Sequence, residues 1–204
     1  MEIKNFIPGS DEKINQLLRF TAEVDKMTGI FRRTMLLDKS RHENDAEHSW
    51  HIALMCMLFK DYAPAGCDVS RACRMCLVHD LVEIYAGDTF AYDPKANEDK
   101  EAREKEAADK LFSELPEELS KEFRALWEEF DEMITPDSRY AAAMDRIQPY
   151  LHNTLTDGHT WCEGKPTIEM VNKRIGPALE TIPELKDWYD KNIENAVEKG
   201  WLKR

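Results

Sequence analysis

Along most of the chain, apolar residues recur at the three- and four-residue intervals of a helix face and seldom alternate as in a half-buried strand. This periodicity predicts a first helix over about 10–27, with Ile14, Leu17, Leu18 and Val24 on one side. A second is expected from Asn44 or Asp45 to about Tyr62, where Asn44 and Glu47 have the spacing of a capping box. A third runs from near Asp68 or Ser70 to Gly87, a residue suited to the left-handed turn after a helix. The stretch EDKEAREKEAADKLF, within about 97–113, pairs Glu with Lys or Arg at helical spacing and reads as a solvated helix face. Pro116, Pro136 and Pro183 sit where a first turn tolerates proline, Pro136 directly after a Thr135 cap. Further helices are therefore expected at about 116–133, 136–153, 167–181 and 183–199, with the longer loops at 88–97 and 154–166. No Asn-Gly or Asp-Gly turn separates alternating runs, and Asp157-Gly158 falls in a polar loop. The expected architecture is all-α: one domain over 1–204 of about seven or eight helices, its core at about 10–155 and its C-terminal helices, 167–199, packed on it.

Several polar residues are at odds with their surroundings. The run His48-Ser49-Trp50-His51-Ile52-Ala53-Leu54-Met55-Cys56-Met57-Leu58-Phe59 is apolar nearly all round after its first turn, and so is the run from Ala72 to Ile84. A helix apolar around its circumference is buried, yet His79, Asp80 and Glu83 lie inside the second run. Asp145 repeats the theme within Ala141-Ala142-Ala143-Met144-Asp145-Arg146-Ile147. A buried carboxylate needs a partner, because leaving it unpaired costs several kcal/mol. A cation shared among the helices would supply one; pairing of Asp80 with an arginine and of His79 with a carbonyl would also do so, and the residues alone leave both open. Imidazole suits Zn, Fe, Co, Ni and Mn, and carboxylate suits the harder end of that series.

Composition narrows the partners. With 28 Lys and Arg against 40 Asp and Glu, the net charge is −12, which repels polynucleotide backbones and anionic membranes. A phosphate ligand would need a local arginine cluster. The longest apolar runs, about ten residues, fall short of the ~20 that a membrane span needs, and MEIKNFIPGSDEK lacks the apolar stretch of a secretory signal. Five irregularly spaced cysteines disfavour a disulfide framework, so a cytoplasmic location is expected.

Three ordered blocks carry a resemblance. Arg32-Arg33-Thr34, then Ser40-Arg41-His42-Glu43-Asn44-Asp45-Ala46-Glu47-His48-Ser49-Trp50, then Val78-His79-Asp80-Leu81-Val82-Glu83-Ile84-Tyr85-Ala86-Gly87-Asp88-Thr89 resemble the HD-domain superfamily of metal-dependent phosphohydrolases. Within it the chain is most similar to the 5′-deoxynucleotidase branch, over roughly residues 10–200. The resemblance implies an all-helical fold, a homodimer, and metal ligands His48, His79, Asp80 and Asp145. It assigns Glu83 to the attacking water, with Asp80 also at the reacting centre, Arg32 to the phosphate, and the Gly87-Asp88-Thr89 block to the nucleotide pocket. Arg33 stands where relatives often carry an uncharged residue, so the register of Arg32 and Arg33 is open, with Arg32 ranked first. Arg41 is a further candidate for the phosphate. Two His and two Asp would fill four positions of an octahedron and leave two for water and a substrate oxygen. The ion is then one divalent metal, Co, Mn, Fe, Ni or Zn, with Mg an option. The six histidines are His42, His48, His51, His79, His152 and His159, none between Asp80 and Asp145, whereas dinuclear members draw ligands from that interval. One metal and hydrolysis follow.

The implied activity is removal of the 5′-phosphate from deoxyribonucleoside monophosphates. Hydrolysis of another small phosphoester or a nucleoside triphosphate is the alternative, as is a non-catalytic nucleotide- or metal-sensing role, against which Glu83 speaks. Other candidates have plainer readings. His51 is expected as a core or pocket histidine, Cys73 and Cys76 as small buried residues, and Glu47 as the capping partner with support of His48 as the alternative. Arg41 and Glu43 form either a surface pair or a substrate contact. Pro149 would clash with the carbonyl of Asp145, which predicts a bend there or a helix end near Tyr150. Trp127, Tyr140, Trp161, Trp188 and Tyr189 read as core or dimer contacts.

Overall fold

The helix ends sit where side-chain caps put them. The computed structural model describes residues 5–93 and 95–203. Helix α1, Glu12–Val24, starts at Asp11, whose side chain accepts from the Ile14 amide, and passes into a 3-10 turn, Asp25–Gly29. Strands β1 (Phe31–Met35) and β2 (His42–Asn44) then pair antiparallel, Phe31 opposite Asn44 and Met35 opposite His42. Helix α2, Asp45–Leu58, opens on the capping box, with both Asn44–Glu47 bonds formed. Helix α3, Val69–Val78, is capped by Asp68, and a short α4, Glu83–Ala86, follows it. The rest is α5 (Lys100–Phe112), α6 (Glu117–Glu132), α7 (Pro136–Leu155), α8 (His159–Gly164), α9 (Ile168–Thr181) and α10 (Lys186–Glu198). The fold is all-α apart from the small hairpin.

Four local features differ from the sequence expectation. The hairpin was not expected, since its strands are short and carry arginines in place of alternating β-branched residues. The third helix does not run unbroken to Gly87: after Val78 the amides of Leu81, Glu83 and Ile84 bond three residues back, to Val78, Asp80 and Leu81. Such tightened turns stack residues three apart, so Asp80 and Glu83 share a side. Helix α8 occupies part of the expected 154–166 loop. Helix α7 stays helical through Pro149, so it does not end near Tyr150.

Helix α7 organises the interior, packing against α2, α3, α6 and α9. The main core joins Ile52 and Cys56 of α2, Met75 and Cys76 of α3, Leu111 and Phe112 of α5, Leu126 of α6 and Tyr140 and Met144 of α7. A smaller cluster gathers Tyr150, Trp161, Val171, Ile175 and Tyr189, with the Tyr150 ring 5.3 Å from Trp161 and 5.0 Å from Tyr189. Tyr140 and Trp161 are thus core residues, as expected.

Gly158 joins α7 to α8 in a left-handed conformation, φ 65°, and an added Cβ would stand 2.5 Å from the Trp201 side chain. Gly158→Ala combines left-handed strain with overpacking and should lower stability by about 2–4 kcal/mol. Urea unfolding followed by circular dichroism measures this, and an unchanged midpoint would show that Trp201 moves aside freely.

Candidate metal centre

The first turn of α2, the turn after α3 and the middle of α7 bring four side chains to one buried point. His48 Nε2 lies 3.2 Å from Asp145 Oδ1 and 3.9 Å from Asp80 Oδ2. His79 Nε2 lies 3.0 Å from Asp80 Oδ1 and 3.9 Å from Asp145 Oδ1. His48, His79, Asp80 and Asp145 are all buried.

The hydrogen bonds determine what this cluster can hold. His79 Nδ1 donates to the Cys76 carbonyl at 2.8 Å, so in the neutral ring the lone pair is on Nε2, a buried atom with no hydrogen-bond partner. His48 Nδ1 donates to Gln148 Oε1 at 3.1 Å, which leaves its Nε2 lone pair facing Asp145. The Gln148 amide group is oriented in turn, since its Nε2 donates to the Glu43 carboxylate at 2.5 Å and to His152 Nε2 at 3.1 Å. His152 Nδ1 donates to the Met35 carbonyl at 2.9 Å, which fixes the last tautomer of the chain. Two imidazole lone pairs thus face two carboxylates, all acceptors, and a divalent cation satisfies them together. The residues present fit such an ion.

The charge states of His48, Asp80 and Asp145 agree with this. Burial, reinforced by the Arg32 charge, pushes His48 down to about 4, so it stays neutral and able to ligate. Burial opposes ionisation of Asp80, but His79 and Arg32 prevail and hold it well below the usual carboxylate range. Burial likewise works against Asp145, and the Arg174 and His48 contacts keep it low. His79 differs: burial would lower it, but the Asp80 carboxylate outweighs burial and the net shift is upward, so the carboxylates draw a proton to the position that a cation would take.

Around the cluster, Arg32 Nη1 donates to Asp80 Oδ2 at 2.7 Å and to Asp45 Oδ1 at 3.4 Å, and lies 3.9 Å from Asp88. The plainer expectations for Asp80 and His79, an arginine and a carbonyl, are therefore both met, and they still leave the facing lone pairs unsatisfied. Glu83 is buried with Oε2 unpartnered, and burial plus the Asp80 and Asp45 charges raise its pKa well above normal. Burial, then the Asp80 charge, raises Asp45 to about 7. Arg32, Arg33, Asp80, Glu83, Asp88 and Thr89 line one cavity of about 240 Å³ together with aromatic residues that include Phe90, Trp127 and Trp161. Arg33 lies over the Phe90 ring, 5.7 Å from its centre, and Thr89 accepts from Arg103 at 3.1 Å.

Other expected residues stand elsewhere. Arg41 does not line this cavity: its Nη1 donates to Glu47 at 2.8 Å, and Glu43 is buried instead of pairing with it at the surface. Glu47 thus serves both the cap and Arg41. His51 is outside the four-residue cluster, with Nδ1 3.3 Å from the Gln148 amide nitrogen. Cys76 packs 3.5 Å from Cys56, and no potential metal group among the described residues includes a cysteine. Sequence reasoning missed Gln148, Asp45, His152, Arg146 and Arg174. Gln148 could have been found, as a polar residue three positions after Asp145 in the same buried run. Arg174, whose Nη2 donates to Asp145 Oδ2 at 2.8 Å, comes from α9, and nothing in its polar neighbourhood marks it.

Residues 24–186 match the sequence model of a family described as the HD domain. The chain belongs to the HD domain family. A crystal structure of a predicted metal-dependent phosphohydrolase from Magnetospirillum magnetotacticum MS-1 superposes on this HD-domain protein with TM-score 0.90 at 42% identity, covering 98% of this chain and 100% of that one. An HD-domain phosphohydrolase from Listeria innocua, 16% identical with TM-score 0.57 over 89% of this chain and 86% of that one, shares the fold. Human 5′-deoxynucleotidase HDDC2 is 30% identical over 138 residues, 67% of this chain and 64% of that protein, so the match spans somewhat less than two thirds of the human relative. The 5′-deoxynucleotidase hdd1 of Schizosaccharomyces pombe is 26% identical over 164 residues, 78% of this chain and 73% of that one.

Gln148→Leu removes the acceptor that holds the His48 tautomer while keeping side-chain bulk. It should weaken metal binding by about 10- to 100-fold, measured by competition with a chromophoric chelator. Unchanged affinity would mean that the His48 ring is held by packing alone.

Proposed function

We propose that this HD-domain protein is a metal-dependent phosphomonoester hydrolase that removes the 5′-phosphate from deoxyribonucleoside monophosphates. The observation that carries this reading is the pair of buried imidazole lone pairs facing Asp80 and Asp145 at the wall of a cavity lined by arginines and aromatic rings. The 5′-deoxynucleotidases among its relatives support the choice of substrate. His48, His79, Asp80 and Asp145 would hold one divalent ion, Co, Mn, Fe, Ni or Zn, with Mg an option. Bound there, it supplies neutralisation of phosphoryl charge and a more acidic water.

The chain's own residues supply the rest. Arg32, buried and already directed at Asp80, orients and neutralises the phosphate, with Arg33 beside it. Glu83 is a stronger base than an exposed glutamate, because burial and two neighbouring carboxylates disfavour its charge. In this role it accepts a proton from the water that attacks phosphorus. As the P–O5′ bond breaks, the same proton can pass to the leaving O5′, so the step balances without another acid. The aromatic side of the cavity, with Phe90 and Trp127, receives the nucleoside, next to Asp88 and Thr89.

Assembly follows from α2. Its inner face is core, but Trp50, Leu54, Met57 and Leu58 form an outward stripe, with exposures of 62%, 36%, 60% and 69%. An apolar stripe of this kind marks an interaction surface, and a second copy of the chain is its proposed occupant. No helix among the described residues is long and apolar enough to cross a membrane. The five cysteines are free thiols, in keeping with a cytoplasmic location.

A phosphate-release assay over deoxy- and ribonucleoside monophosphates with Co, Mn, Mg and Zn tests the activity. Glu83→Ala should reduce turnover by about 100-fold or more while retaining metal. Absence of hydrolysis with every metal would instead favour a sensing role. Sedimentation should show a dimer at micromolar concentration, which Trp50→Glu with Leu58→Glu converts to monomer. A monomeric wild type would overturn the assembly.

A further inference from the structure

Arg32 is not the only guanidinium at the cluster. On the Asp145 side, Arg174 of α9 donates from Nη2 to Asp145 Oδ2 at 2.8 Å, and Arg146 Nη1 of α7 lies 3.8 Å from the same oxygen. The Arg146 side chain is 11% exposed, and its one hydrogen bond goes from Nη1 to the Ala142 carbonyl at 2.8 Å. A guanidinium carries five N–H donors, so most of the donors of this nearly buried group have no protein partner. Two positive charges thus share a single carboxylate oxygen. The other oxygen of Asp145 cannot balance them, because Oδ1 is turned toward His48. Among the described residues neither arginine has another ion-pair partner within 4.0 Å. Both line the same cavity as Arg32.

Arg146 is nearly buried and Arg174 opens on the cavity, so an anion entering there would meet guanidinium donors that the protein leaves unpaired. We propose that Arg146 and Arg174 form a second phosphate-binding arm, so that the phosphoryl group is held between them and Arg32. The proposal rests on the phosphomonoester reading and refines it. A monoester dianion offers three terminal oxygens and two charges, enough to meet both arms. A diester offers two oxygens and one charge and leaves one arm unfilled, so the arrangement selects monoesters.

Inorganic phosphate is the probe, titrated calorimetrically into the manganese-loaded protein. Wild type should bind it. Arg146→Met and Arg174→Met should each weaken binding by about tenfold or more and raise KM for the monophosphate in parallel, with metal content retained. Arg174→Lys should recover part of the loss, since it restores the charge without the fork. Lys173→Met, exposed on α9 next to Arg174, should change nothing and so separates contact from general charge. Arg174 is itself 34% exposed, so its variants remain informative if the Arg146 variant fails to fold. Wild-type phosphate binding that both methionine variants retain, or no phosphate binding by wild type, would overturn the arm. Arginine-dependent phosphate binding without hydrolysis of any nucleotide would sustain the arm and sink the hydrolase reading. Hydrolysis with KM unchanged in both variants would do the reverse.

Discussion

Two imidazole lone pairs and two carboxylates face one another where little water reaches, and much of the surrounding structure answers the electrostatic demand they make. Acceptors do not satisfy acceptors. Without a cation the interior would have to take up extra protons or bear unpaired charge, either of which costs more than ordinary core packing returns. Three separate helical segments converge on this point, so an ion held there and the tertiary fold would support each other. Metal binding of this kind contributes to folding as well as to chemistry.

The demand extends outward through hydrogen bonds. From the Met35 carbonyl in the hairpin, through His152 and Gln148, to His48 in α2, each hydrogen bond helps to fix the orientation of the next group. The hairpin therefore does more than connect α1 to α2: its main chain sets the tautomer at the far end of the chain. Glu43 belongs to the same network, buried on β2 and accepting from Gln148, and burial raises it to about 7. A glutamate that reads in sequence as a loop residue, in a surface pair or a substrate contact, is thereby part of the support of His48, a proposed metal ligand.

Charge is graded across the cavity. Asp80 and Asp145 are held ionised by arginine and histidine neighbours, whereas Glu83 and Asp45, a short distance away, are pushed toward the protonated form. Such opposite shifts among neighbouring carboxylates would separate the proposed ligands from the proposed base without any difference in residue type. The acidic envelope and the arginine-lined cavity fit the same scheme: long-range repulsion of polyanions, local attraction for one small anion.

Local residue patterns specify the helical class, the capping box at Asn44, the proline-marked starts of the later helices, and the burial of His79, Asp80, Glu83 and Asp145. Each of these is written in local spacing or in a polar residue within an apolar run, which is why it was legible. The break after Val78, the hairpin, the displacement of Arg41 to Glu47, and the gathering of Gln148, Asp45, Arg146 and Arg174 around the cluster were decided by the tertiary structure. None has a local signature. An arginine in α9 or a glutamine in α7 looks the same in sequence whether it meets water or a buried carboxylate, and only packing across α2, α3, α7 and α9 brings the partners within hydrogen-bonding reach.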